Sequence, residues 1–233
     1  MSTIGILGAM DEEVALLQAS LKNATTRQWH HLTFIEGKLN HHTVVVAKCG
    51  IGKVAAALAT TAMIQLYSPD YMVNTGSAGG FDQELEIGDI VIGTAIKHHD
   101  VDLTHFGYAL GQCAGDMPEA YHSDTTLVDA ARTAANDIAG IKCKDGLICT
   151  GDAFIGSDEA AQKIRNAFPD MKACEMEGAA IAQTCHMLNT AFVVIRSLSD
   201  IAGKTSSISF QEYLEVAAKH SAQLVIAMVA ALR

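Results

Sequence analysis

Short apolar runs alternate along the chain with segments that have the spacing of amphipathic helices. Runs such as Ile4–Leu7 and Tyr71–Asn74 end at glycine or polar turns, which is typical of buried strands. The Ala-rich segment Lys53–Leu66 stops before Ser68-Pro69, as a helix does. The pattern predicts strands at 4–7, 32–36, 43–48, 71–74, 90–92, 146–149, before 175 and at 192–195, and helices from 11, at 53–66, 125–138, 159–167 and 178–188, and from 209 onward.

Strands that alternate with helices predict an α/β fold with a largely parallel sheet covered on both faces. The 233 residues contain no low-complexity segment, internal repeat or Pro/Gly-rich linker. We therefore expect one domain spanning residues 1–233. The polar stretch 100–119 is predicted to be a long loop of the kind that carries function.

Composition excludes several classes of protein. Apolar residues make up 49% of the chain and charged residues 18%, which rules out disorder. The net charge of −10 makes nucleic acid and anionic membranes poor partners. No apolar run is expected to reach the roughly 18 residues of a membrane span, and Met1–Ile6 lacks the basic segment of a signal peptide. We expect a cytoplasmic protein.

Cysteines and histidines offer weak candidates for chemistry. The six cysteines include no CxxC pair, so we interpret them as reduced, small buried residues. His98, Asp100 and Asp102 would share one face of a strand, which fits either half of a metal site or a hydrogen-bonded strand end. The second interpretation is favoured, and we predict no metal and no cofactor.

Gly50-Ile51-Gly52-Lys53 superficially matches a phosphate-binding loop. That motif needs a glycine where this chain has Ala47 and a serine or threonine where it has Val54. We therefore predict a tight strand-to-helix turn that brings backbone close to a ligand.

Four acidic residues follow predicted strands, where open α/β sheets bind ligands. They are Glu13, Glu175, Glu177 and Asp200. Each one alone could be a helix cap or a solvated loop residue. Two carboxylates in different environments can also cleave a glycosidic bond, one as general acid and the other activating water. The residues alone are compatible with this hydrolysis, but they do not identify its substrate.

Six motifs in fixed order resemble those of the bacterial 5′-methylthioadenosine/S-adenosylhomocysteine nucleosidases, within the purine nucleoside phosphorylase superfamily. The resemblance runs from about residue 4 to residue 230. It implies a three-layer α/β/α fold around a mixed sheet. It also implies a homodimer that hydrolyses these nucleosides and 5′-deoxyadenosine. The motifs are 8–13, 50–53, 74–80, 151–155, 175–177 and 196–200.

The resemblance also implies a role for individual residues. Asp200 would protonate adenine N7 and Glu13 would activate water for attack on C1′, so Asp200→Asn is expected to lose at least about two decades in kcat. Glu177 and the Met176 backbone would hold the ribose hydroxyls. Phe154 would stack on adenine, the Ile155 backbone would pair with the adenine edge, and Ser77, Gly79 and Ser199 would contact the nucleoside. Arg196 would be a positioning cation near the sugar and the water. The 5′-alkylthio pocket would be lined by Met10, Ile51 and Phe210, and Phe106 would cap the pocket of the partner.

Simpler roles remain open for some of these residues. Phe154 and Met10 could be ordinary core residues, and Arg196 could serve only as the partner of an acid. The chain also departs from the family pattern at Ala114, where proline is frequent, and at His98, where an aromatic residue is usual. Both departures bear on the pocket rim and the preferred 5′-substituent.

Three rival functions share the predicted scaffold. A phosphorylase would need several arginines around phosphate, whereas this chain has only five in all and places Glu13 at the first strand turn. A futalosine hydrolase and a nucleoside-binding protein without catalysis are the other two. Retention of both Glu13 and Asp200 argues against simple binding.

Overall fold

The computed structural model describes residues 1–138, 140–202 and 206–232, with backbone alone for 206–209. A 3-10 turn occupies Thr104–Phe106. In chain order the strands and helices are β1 (Thr3–Gly8), α1 (Asp11–Ala19), β2 (Lys22–Trp29), β3 (Leu32–Leu39), β4 (His42–Lys48), α2 (Lys53–Tyr67), β5 (Tyr71–Gly80), β6 (Ile90–His98), β7 (Tyr121–His122), α3 (Thr125–Ala135), β8 (Cys143–Thr150), α4 (Asp158–Ala167), β9 (Met171–Glu175), α5 (Gly178–Met187), β10 (Ala191–Ile201) and α6 (Ser206–Ala231).

All the strands of the described chain belong to one sheet. Their order is β10-β6-β8-β9-β5-β1-β4-β3-β2, with β7 beside β6. Because β10 also pairs with β5, the strands β5, β10, β6, β8 and β9 close a circuit. Among the described residues, five pairings are parallel and five antiparallel. The sheet is therefore mixed, and the prediction of a largely parallel sheet is wrong, because β2–β3–β4 is a meander and β6 runs against its neighbour β10.

Helices cover both faces of this sheet. One apolar cluster joins the sheet to α2 and α5 through residues such as Met63 and Ile181. A second cluster joins the other face to α1, α3 and α6 through residues such as Leu17, Leu127 and Val225. The expected three-layer α/β/α fold is confirmed.

Helix α6 contains a longer apolar segment than the sequence pattern predicts. Its segment Phe210–Ala231 is long and apolar enough to cross a membrane. However, Leu224, Val225, Met228 and Val229 are fully buried, and the helix packs on β5, β10, α1 and α3. This packing identifies α6 as a core helix, and the expectation of no such apolar length is corrected.

Several predicted elements differ in extent. Strand β2 was not predicted, because Lys22–Trp29 is polar and almost entirely exposed. Strand β6 continues to His98, well beyond the predicted 90–92. Strand β10 continues to Ile201, so Asp200 lies within a strand and not after it.

Candidate active site

A cavity of about 250 Å³ opens where β1, β5, β9 and β10 approach one another. Of the fourteen predicted site residues, twelve line it, and Arg196 and Phe106 do not. Arg196 is fully buried, whereas Phe106 is 74% exposed on the long loop. The predicted lining residues are Met10, Glu13, Ile51, Ser77, Gly79, Phe154, Ile155, Met176, Glu177, Ser199, Asp200 and Phe210, and the additional ones are Ala9, Ala78, Phe81, Ala153, Cys174, Glu175 and Ala202.

Glu13 lies in the first turn of α1 and is held by four donors. Its Oε2 accepts hydrogen bonds from the backbone N–H groups of Ala9 at 2.7 Å and Met10 at 3.2 Å. Its Oε1 accepts from the Ser77 N–H at 2.9 Å and the Ser77 hydroxyl at 3.0 Å. These bonds join α1 to β5 and fix the carboxylate at the cavity wall.

Glu175 and Arg196 form a buried ion pair beside the cavity. Glu175 Oε2 also accepts from the N–H groups of Glu177 at 3.0 Å and Gly178 at 2.7 Å, at the start of α5. Arg196 Nη2 donates to Asn74 Oδ1 at 2.6 Å. Burial of the Glu175 carboxylate is therefore compensated by these donors.

Glu177 shares the same arginine more loosely. Its Oε2 lies 3.4 Å from Arg196 Nη2, and its Oε1 accepts from the Gly52 N–H at 2.9 Å. Burial raises the pKa of Glu177 to about 7, Arg196 opposes that rise, and the charge of Glu175 adds to it. The turn at Gly50–Gly52 is therefore tied to an acid that titrates near neutral pH.

Two of the nitrogen atoms of Arg196 have no hydrogen-bond partner among the described residues. They are Nε and Nη1, and both are buried. Burial lowers the pKa of Arg196, but Glu175, Glu177 and Glu13 together raise it above its usual value. The guanidinium is therefore a permanent cation next to three acids.

Gly76 explains why the arginine and Glu13 can approach each other. A Cβ at this position would lie under 3.0 Å from both the Arg196 guanidinium and the Glu13 carboxylate. Only a glycine leaves that space free.

Asp200 reaches the cavity through an irregularity in β10. The pairing of β10 with β5 shifts register between Leu198 and Asp200, which places Asp200 opposite Gly79. Such bulges re-aim side chains near functional sites. The Ser199 hydroxyl donates to Asp200 Oδ1 at 2.9 Å. A Cβ at Gly79 would lie 3.3 Å from Asp200 Oδ2, so the missing side chain leaves room beside the acid.

The loop that follows β8 forms another wall of the cavity. The rings of Phe154 and Phe210 meet edge to face, with centroids 5.8 Å apart, and Phe154 is 49% exposed. This exposure argues against Phe154 as an ordinary core residue. Asp152 in the same loop accepts from the Lys53 N–H at 2.8 Å, at the start of α2.

His98, Asp100 and Asp102, the alternative metal half-site, each have other partners in the structure. His98 Nε2 lies 3.0 Å from Gln183 Oε1, Asp100 pairs with Lys53 at 2.7 Å, and Asp102 accepts from Thr104. In the part of the chain that the structure describes, no group of three or more His, Cys, Asp or Glu residues is placed to hold a metal. His98 and Ala114 do not line the cavity.

The chain is similar to known proteins over nearly its whole length. The family model described as Phosphorylase superfamily matches residues 3–230. A 5′-methylthioadenosine/S-adenosylhomocysteine nucleosidase from Shewanella loihica is 52% identical over 226 residues, covering 97% of this chain and 98% of that protein.

Solved structures agree with the sequence relatives. A Colwellia psychrerythraea nucleosidase of the same name, in complex with adenine, superposes with a TM-score of 0.97 at 51% identity, covering 99% of this chain and 96% of that one. A Neisseria meningitidis nucleosidase in complex with methylthio-immucillin-A gives a TM-score of 0.96 at 45% identity, covering 98% and 99%. The chain belongs to the 5′-methylthioadenosine/S-adenosylhomocysteine nucleosidase family within the phosphorylase superfamily.

Proposed function

We propose that this protein hydrolyses the N-glycosidic bond of 5′-methylthioadenosine and S-adenosylhomocysteine, and also of 5′-deoxyadenosine, releasing adenine and the 5-substituted ribose. The observation that carries this proposal is the presence of two buried acids, Glu13 and Asp200, in the wall of one cavity. Glu13 accepts hydrogen bonds from three backbone N–H groups and a hydroxyl at the start of α1, and Asp200 accepts one from the Ser199 hydroxyl at the irregularity of β10.

Asp200 is proposed as the general acid. Adenine leaves more readily when N7 is protonated, because the departing base is then neutral. We place the N7 edge of adenine beside Asp200, which lines the cavity opposite Gly79. The exposed ring of Phe154 offers a stacking surface, and the Ile155 backbone lies at the same wall to pair with the adenine edge.

Glu13 is proposed as the base that orients and deprotonates water. Its carboxylate lines the cavity and is fixed by four donors, so it is held in place to accept a proton from a water in the cavity. Arg196 does not line the cavity, and we propose that its charge positions Glu13 as well as binding Glu175.

The remaining subsites follow from the cavity wall. Met176, Glu177 and Ser77 line the cavity, with Ser77 next to Glu13. Glu177 and the Met176 backbone are proposed to bind the ribose hydroxyls. Met10, Ile51 and Phe210 are proposed to hold the apolar 5′-substituent.

The charges around Arg196 favour water over phosphate as the nucleophile. A phosphate dianion would meet Glu13, Glu175 and Glu177, and the arginine is already bound by two of these acids. Like charges at such close range disfavour phosphate strongly.

We also propose a cytoplasmic homodimer of single-domain chains. An exposed apolar stripe runs from Ile51, in the turn before α2, to Val54 and Leu58 on the first turns of this helix, with 59%, 82% and 42% exposure. Exposed apolar patches of this kind mark interaction sites. Phe106 is too far from its own cavity to line it, so it is available to cap the cavity of the partner.

One assay tests the proposal. Purified protein is incubated with 5′-methylthioadenosine in chelator-containing buffer, with and without phosphate, and the products are separated. We expect adenine and free methylthioribose at equal rates in both buffers. Release of adenine only with phosphate, as the sugar 1-phosphate, would make the protein a phosphorylase, and no release would support a binding protein or a futalosine hydrolase.

A further inference from the structure

Two cysteines lie side by side beneath the cavity. Cys149 of β8 and Cys174 of β9 are direct partners in the parallel pairing of these strands. Their side chains therefore point to the same face of the sheet, across strands about 4.8 Å apart. Both are free thiols and both belong to the apolar cluster that includes Phe81 and Phe168.

The two thiols differ in their access to solvent. Cys174 lines the cavity and is 6% exposed, whereas Cys149 is fully buried behind it. On its other side, Cys174 is paired with Gly79, which lies opposite Asp200. A ligand therefore reaches the two thiols through the cavity. An ion bound to Cys174 lies close to Gly79 and to Asp200, which pairs with Gly79.

We propose that Cys149 and Cys174 form a two-coordinate binding site for a soft, thiophilic divalent cation, with Hg²⁺ as its probe. Thiolates select soft metals. Two metal–sulfur bonds of about 2.3 Å in a line span about 4.6 Å, which matches the spacing of the strands. Two thiolates neutralise a divalent ion, so the complex is neutral, as an apolar cluster requires.

Binding of this kind needs no oxidant. The ion accepts a sulfur electron pair from each cysteine, and both thiol protons pass to the buffer. Burial raises the pKa of both thiols, and for Cys174 the charges of Glu175 and Cys149 add to that rise. Oxidants and alkylating reagents, which need the thiolate, therefore react slowly, whereas a soft cation displaces the protons and binds more tightly as pH rises.

The position of the site makes the ion an inhibitor. An ion on Cys174 occupies the cavity floor next to Gly79, where we place the adenine edge. Ion and adenine are therefore expected to exclude each other.

The experiment compares the wild-type chain with Cys149→Ala and Cys174→Ala, and with Cys185→Ala as a control, because Cys185 is an equally buried thiol on α5. Each protein is loaded with HgCl₂ and then washed with excess 2-mercaptoethanol, which strips single thiols. Retained mercury is counted by native mass spectrometry, and adenine release is compared with that of the same untreated variant. Cys149→Val and Cys174→Val serve as a second pair if either alanine variant does not fold.

We expect one ion per chain to remain on the wild type and on Cys185→Ala, with adenine release at least tenfold below the untreated rate. Both single variants of the pair are expected to retain no ion and to keep their untreated rates, and adenine present during loading is expected to prevent retention. A Cys149 variant that holds mercury as the wild type does would overturn the proposal, as would a wild type stripped completely. The ion count needs no turnover, so it is independent of the nucleosidase proposal.

Discussion

At the scale of single residues, the acids around the cavity are distinguished by their partners. Glu175 is engaged by Arg196 and by the first N–H groups of α5, so its part is structural. Glu13 is fixed by donors at the cavity wall, and Glu177 accepts from one backbone N–H, of Gly52, and lies 3.4 Å from the Arg196 guanidinium. The position of these acids after strands could be predicted from sequence, but their partners could not, because Arg196 meets Glu175 only through the pairing of distant strands.

The pKa of Glu177 predicts a pH-dependent stability. In the folded chain this pKa is about 7, against a usual 4.5. The contribution of Glu177 to the free energy of unfolding is therefore fully present below about pH 4.5 and declines as pH rises through about 7. We measure Tm of the wild type and of Glu177→Gln by thermal unfolding at pH 5 and at pH 8. The Tm of Glu177→Gln minus that of the wild type is expected to increase by a few degrees from pH 5 to pH 8. Glu12→Gln, at an exposed position of α1, is the control, and an equal trend in both variants would contradict this origin.

Gly76 offers a test of the close approach between Arg196 and Glu13. An added methyl group would displace one of these side chains, and misplacement by about 1 Å can cost about 100-fold in rate. We therefore expect Gly76→Ala to reduce kcat/KM for 5′-methylthioadenosine at least about 100-fold. Gly115→Ala, where a Cβ meets nothing within 4 Å but φ is +81°, should lower stability and leave kcat/KM unchanged. Near-normal turnover of Gly76→Ala would show that the site tolerates the displacement.

At the scale of elements, prediction succeeded where a strand or helix buries a face. The apolar runs in β1, β5 and β8 and the stripes of α2 and α5 were found because burial imposes their pattern. Strand β2 was missed because it lies at the sheet edge with neither face buried. The bulge that aims Asp200 was also missed, since it depends on how β10 pairs with β5.

Three segments are joined by one charged network at the rim of the site. Lys53 of α2 binds Asp100 at 2.7 Å, Asp100 accepts from the Asp152 N–H at 3.0 Å, and Asp152 caps α2. Burial raises the pKa of Asp100, but the bonds from Lys53 and Asp152 outweigh it and lower the pKa. The loop that carries Phe154 and the turn that carries Ile51 are thereby fixed to each other.

Asp100→Asn is expected to loosen this network. Loss of a hydrogen bond to a charged group costs about 1.5 kcal/mol, which corresponds to a decrease in affinity of about tenfold. We expect KM for 5′-methylthioadenosine to rise about tenfold while kcat changes less than threefold, as determined from initial rates. Asp129→Asn removes an exposed pair with Arg132 on α3 and should change neither constant. A matching fall in kcat would contradict a positioning role.

At the scale of the whole molecule, the exposed stripe on α2 predicts self-association. Each chain has a mass of 24.7 kDa, so light scattering is expected to give about twice that value. Val54→Asp places a charge in the stripe and is expected to yield monomers with adenine release at least about tenfold lower, because Phe106 no longer reaches a partner's cavity. Thr133→Asp, on α3 in the opposite layer, should leave both mass and rate unchanged. A monomeric wild type with full activity would contradict the proposed dimer.

The central claim is that Asp200 protonates the leaving group while Glu13 activates water. The most direct test is to measure kcat of Asp200→Asn and Glu13→Gln on 5′-methylthioadenosine and on the 4-nitrophenyl glycoside of 5-methylthioribose, whose leaving group needs no proton. We predict that Asp200→Asn loses at least about 100-fold on the nucleoside and less than tenfold on the nitrophenyl glycoside, while Glu13→Gln loses at least about 100-fold on both. Equal losses of Asp200→Asn on the two substrates would contradict its role as the acid.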